Sequence, residues 1–190
     1  MNTENEKLSA QQSLDIISSM IAQAKGNVQK NAFYFLLWGW TILSCNLGIY
    51  LMIQFTDIRN PFWIWLLTVP AGIASMVYGR NQDRINTHTH LDTITKWLWI
   101  GYGVICFTIV AFGPKINWQI NPVIITMSAV PTFVSGVMLR FRPLILGGLS
   151  FWICGIIIFF LPMKEQFLVS SIALALGYLV PGYQLKAKKD

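Results

Sequence analysis

Few residues in this chain have types and spacing suited to chemistry. His88 and His90 stand one residue apart with Asp83 and Asp92 nearby, all within Arg80–Lys96. Imidazole and carboxylate are both ligands for divalent metals. No second cluster of such residues accompanies them, so no metal site is predicted. Cys45, Cys106 and Cys154 show no CxxC or Cys/His spacing, and an isolated buried thiol behaves as a small hydrophobe. HExxH, GxSxG, P-loop and GxGxxG motifs are absent from the sequence. These observations predict no catalytic residue, no cofactor and no enzyme. The candidates left are residues inside apolar stretches. Asn46 is the one strongly polar side chain deep in such a stretch, and Pro70 and Pro131 interrupt two others. Together they mark a candidate cavity or hinge.

The elements that carry these residues follow from the charge pattern. Of 190 residues, 54% are hydrophobic and 12% charged, against about 25% charged in a soluble domain. Mean hydropathy is +0.53. Six stretches carry no Asp, Glu, Lys or Arg: Ala32–Phe55, Pro61–Gly79, Trp97–Gly113, Asn121–Leu139, Pro143–Leu161 and Phe167–Leu185. Each is close to the roughly 17–25 residues that a helix needs to cross a bilayer. Trp97–Gly113 is the shortest, at 17 residues. No stretch alternates with the period of a membrane strand. The expected fold is an all-α bundle of six transmembrane helices. Residues 1–31 form a cytoplasmic segment, 32–185 the transmembrane domain and 186–190 a basic cytoplasmic tail.

With six crossings both termini share a side. That side receives eleven of the 14 basic residues, leaving only Arg59, Lys115 and Lys164 opposite. The positive-inside rule therefore predicts cytoplasmic termini. The net charge of +6 reads as a topology signal, and its dispersal argues against nucleic-acid binding. The first apolar run has no cleavage-site pattern after it and reads as an uncleaved anchor. Trp38, Trp40, Trp97 and Trp99 near one face, with Trp63, Trp65 and Trp118 near the other, read as interfacial anchors.

A gapless offset of 61 superposes Trp38 on Trp99, Cys45 on Cys106, Asn60-Pro61 on Asn121-Pro122 and Val69-Pro70 on Val130-Pro131. Apolar identities are cheap in such a chain; Trp, Cys, Asn and two prolines in one frame are not. Helices 1–2 and 3–4 are thus expected to be a parallel internal repeat of one hairpin. Cys154 and Val180-Pro181 echo it in helices 5–6, which are either a third, diverged copy or unrelated. Ala71, Ser75 and Gly79 in helix 2 match Ser128, Thr132 and Gly136 in helix 4 as faces of small residues. Such faces permit close approach, so helices 2 and 4 are expected at the centre of the bundle.

Ahead of the first span, Ser9 and Gln12 resemble a capping box. Leu14, Ile17, Ile21, Ala24 and Val28 then recur at helical spacing. This amphipathic helix lies in the membrane interface, docks beneath its own bundle or binds a partner, and Leu14, Ile17, Ile21 and Val28 are the candidate partner-binding face. The segments SLDIISSMIAQAK (Ser13–Lys25) and FYFLLWGW (Phe33–Trp40) resemble a family of small polytopic proteins of Bacteroidota-type bacteria without an assigned activity. The resemblance implies a bacterial inner-membrane protein and carries over no functional residue. The expected function is non-enzymatic: an interaction or regulatory protein working through its cytoplasmic helix and loops. Its surroundings are the lipid bilayer and either a protein partner or further copies of itself. The alternative is a small transporter or channel for a neutral or lipidic solute.

Overall fold

The computed structural model describes residues 31–56, 58–85 and 90–187. No strand occurs among them, and six helices are long and apolar enough to cross a membrane. These are α1 (Asn31–Phe55), α2 (Thr68–Ile85), α3 (His90–Ala111), α4 (Ile120–Met138), α5 (Arg142–Phe159) and α6 (Met163–Ala187). A 3-10 segment, Pro61–Leu67, runs straight into α2 and belongs to the same span. By length and composition the chain is a multi-pass helical membrane bundle. Of the charged segment Arg80–Lys96, residues 80–85 continue α2 and residues 90–96 begin α3. The short third stretch accordingly becomes a 22-residue helix by taking in Asp92 and Lys96. Long side chains near a helix end keep their charge at the interface while the stem stays apolar.

Neighbouring helices run antiparallel. Trp38 reaches Ser75 and Gly48 meets Ile64 between α1 and α2, while Thr95 meets Met138 and Trp99 meets Ser135 between α3 and α4. Gly136 faces Ile145 across α4 and α5, and Gly182 lies against Leu36, bringing the end of α6 to the start of α1. The first and last described residues therefore emerge at one end of the bundle.

The packing centre differs from the expectation. In their most apolar windows α6 is 56% buried and α4 44%, against 6% for α2 and 0% for α3. Helix 4 is central as expected, and helix 2 is peripheral. Ala71 of its small face is buried, yet Val69, Ile73, Met76 and Val77 point outward. The chain instead builds its centre with α5, whose adjacent Gly147 and Gly148 face opposite neighbours. A Cβ on Gly147 would lie 2.8 Å from the Gly177 carbonyl oxygen of α6, and one on Gly148 would lie 2.8 Å from the Phe133 backbone nitrogen of α4. Bare backbone at both positions lets α5 sit tightly between two helices. In a membrane such contact replaces the hydrophobic drive that lipid cannot supply. Phe151, Leu144, Ile158, Ile125, Ala129 and Leu174 fill the seam.

The turns are equally specific. Arg140 holds a left-handed φ of 49°. The Phe141 N–H donates to Gly136 O at 2.9 Å and the Arg140 N–H to Val137 O at 3.1 Å, the paired bonds that close a helix C-terminus with a left-handed residue. Asn117 and Trp118, with φ of 51° and 60°, turn the chain from the 3-10 segment Gly113–Ile116 into α4.

Candidate functional site

Asn46 lies in the interior, 1% exposed. Its Nδ2 donates to the Ile42 carbonyl at 2.9 Å, and its Oδ1 accepts from Asn121 Nδ2 at 3.3 Å. A carboxamide without partners in hydrocarbon is costly, and this pair joins α1 to the first turn of α4. Two residues before Asn121, Gln119 Oε1 accepts from Gln166 Nε2 at 3.1 Å, and the same Nε2 donates to the Leu161 carbonyl at 3.0 Å. Side-chain amides therefore tie α1, α4 and α6 together around the start of α4.

Towards the other end the polar groups are hydroxyls and indoles. Ser128 donates its one proton to the Ile124 carbonyl at 2.8 Å. Tyr102 of α3 must then be the donor in its own bond to Ser128. Thr132 likewise commits its proton to the Ser128 carbonyl at 2.7 Å. The Tyr178 hydroxyl of α6 faces Thr132 and Ser128. One turn further, Trp99 Nε1 donates to Ser135 Oγ at 3.3 Å. The rings form a cluster: Tyr178 packs on Phe35 of α1, Trp99 of α3 and Phe151 of α5, with centroids 5.7, 6.2 and 4.8 Å away. The arrangement is a polar seam sheathed in aromatic rings. It can hold helices in register and donate or accept hydrogen bonds; it presents neither a nucleophile with an adjacent base nor a carboxylate pair. Ser170, fully buried on α6, has no hydrogen-bond partner for its hydroxyl oxygen.

Pro70 and Pro131 are not brought together. Pro131 is buried inside α4, whereas Pro70 is exposed in the first turn of α2, where the 3-10 segment gives way to α-helix. At that junction Pro70 is readily accommodated, because no helical donor is yet required there. Pro70 lines a cleft of about 400 Å³ between α1 and α2, with Leu37, Trp40, Thr41, Ser44 and Ala71. Asn46 faces away from it, buried against α4. Leu14, Ile17, Ile21 and Val28 lie outside the described residues, as does His88. Among the described residues no group of three or more His, Cys, Asp and Glu could hold a metal ion.

Sequence reasoning missed Tyr102, Ser135 and Tyr178, and placed Ser128 and Thr132 only as small packing residues. The available signal was their spacing: Ser128, Thr132 and Ser135 share one face of α4, and Trp99 with Tyr102 shares one face of α3.

No family model, curated protein or solved structure matches the chain.

Proposed function

We propose that this chain is a non-enzymatic integral membrane protein of the bacterial inner membrane, an interaction or regulatory protein whose cytoplasmic helix and loops meet a protein partner. The observation that carries this reading is how the interior polar groups are used. Asn46–Asn121, Gln119–Gln166, Trp99–Ser135 and Tyr102–Ser128 each bond across two helices, so these side chains brace the scaffold. In this reading contact with a partner falls to segments outside the bundle, foremost the apolar stripe Leu14, Ile17, Ile21 and Val28. Both termini are cytoplasmic in this account, supported by the eleven basic residues assigned to that side. The first two hairpins are one repeated unit; the support is the offset of 61 together with the Trp38–Ser75 and Trp99–Ser135 bonds, which fall at nearly equivalent positions. The likeness of Ser13–Trp40 to small polytopic proteins of Bacteroidota-type bacteria supports the membrane assignment. Affinity purification from native membranes tests the proposal. The full chain is expected to retain a partner that a chain lacking residues 1–30 loses; identical partners for both chains would contradict it.

The second reading, a small transporter or channel for a neutral or lipidic solute, draws on the cleft beside Pro70. Fluorescent-lipid scrambling in proteoliposomes, measured against protein-free vesicles, decides it. A rate above the protein-free background would move the preference to this reading.

A further inference from the structure

Beside Pro70 the surface of the bundle is hollow. α1 lines the cleft there with Trp40, Thr41 and Ser44, and α2 with Leu67, Pro70 and Ala74, around a volume of about 400 Å³. Its walls are largely apolar, because the Thr41 hydroxyl donates to the Leu37 carbonyl of its own helix at 2.8 Å. The space exists for two reasons. α2 offers the small residues Pro70, Ala71 and Ala74 here, and the Trp40 indole is drawn aside to α6, where Nε1 donates to the Tyr183 hydroxyl at 3.0 Å. Trp40 and Tyr183 are each about half exposed, so the cleft and this bond open on the same membrane-facing side.

The end of the cleft nearer the start of α1 carries a donor and a charge. Tyr183 accepts from the indole and keeps its own proton to donate. Lys186 is exposed one turn further along the same face of α6. α1 and α6 run antiparallel with Gly182 on Leu36, so Lys186 is level with the first residues of α1. From that level to Ser44 the track covers about 18 Å along the helices. One leaflet, headgroups included, is about 20 Å deep. Spread over the roughly 10 Å from Leu37 to Ser44, the cleft has a cross-section of about 40 Å², too narrow for a helix about 10–12 Å across. We propose that this track binds an anionic glycerophospholipid from the leaflet at that end. Its phosphate meets Lys186, an ester carbonyl accepts from the Tyr183 hydroxyl, and one acyl chain lies in the cleft. The lipid is bound in place, so the site requires neither a protein partner nor transport.

The purified full chain in phosphatidylcholine liposomes tests it, with a trace of phosphatidylglycerol carrying a diazirine on its acyl chain. A phosphatidylcholine probe with the same chain is the comparison. Adducts mapped by mass spectrometry are expected on residues 37–44 and 67–74. The phosphatidylglycerol probe should give about fivefold more, the scale of one basic side chain at an anionic leaflet. Lys186→Gln should abolish that preference. Tyr183→Phe removes the ester donor and should lower the adducts of both probes alike. Ser44→Leu fills the cleft from an exposed position and should move the adducts to the outward faces of α2 and α3. Equal labelling by both probes, or adducts spread evenly over lipid-facing positions such as Phe107, would overturn the site. Cleft adducts that fade as protein density rises would also overturn it, by giving the cleft to a second copy of the chain.

Discussion

Asn46 and Asn121 show how a single polar residue acts in this bundle. Asn46 satisfies itself first, donating to a carbonyl of its own helix, and then offers its oxygen to α4. Such cross-helix bonds in membranes average about 0.6 kcal/mol, with maxima near 1.7. Asn46→Ala and Asn121→Ala are each expected to destabilise the protein by about 1 kcal/mol. The double variant should lose less than the sum, by about 0.5 kcal/mol, in a mutant cycle measured by reversible unfolding in detergent micelles. Strict additivity would mean that the two amides do not share a bond. The sequence exposed Asn46 because a carboxamide in the middle of a 24-residue uncharged run is conspicuous. It concealed Tyr102 and Tyr178, since tyrosine in a membrane span reads equally well as an interfacial anchor and only tertiary contact shows the hydroxyl turned inward.

The helices divide into a packed set and a peripheral set, and small residues decide which is which. Gly148 lies against the backbone of Phe133, so Gly148→Leu forces α4 and α5 apart. Overpacking of this kind costs about 1–3 kcal/mol, and a clear fall in the thermal unfolding midpoint is expected; an unchanged midpoint would show that the contact is not tight. Arg140 presents the opposite opportunity. An L-residue in the left-handed region costs roughly 1–2 kcal/mol, part of which glycine gives back through its greater freedom in the unfolded chain. Arg140→Gly should therefore stabilise the α4–α5 turn by about 0.5–1 kcal/mol, read as a rise in the same midpoint. All six spans were legible in the sequence, because charge is excluded from hydrocarbon whatever the tertiary structure. The order of packing was not. Helices 2 and 4 carry matching small faces, yet only helix 4 has α5 as the next neighbour along the chain, and Gly148 and Gly155 of α5 meet α4. A periodicity argument sees the face and cannot see its partner.

The whole molecule presents two kinds of surface. Around the spans, α2 and α3 expose large apolar side chains such as Ile73, Met76, Val104 and Phe107, as expected of helices bathed in lipid. At the end where the chain enters and leaves the bundle, basic residues gather and an amphipathic stripe precedes α1 in the sequence. The proposed function places partner contact there. Site-specific photocrosslinking in living cells tests that claim most directly, with a benzophenone amino acid replacing Ile17 or Ile21 in one set of variants and lipid-facing Phe107 in another. The account predicts a discrete protein adduct from positions 17 and 21 and none from position 107. Protein adducts from position 107 alone, with positions 17 and 21 silent, would contradict it and move the working surface from the N-terminal apolar stripe to the membrane face of α3.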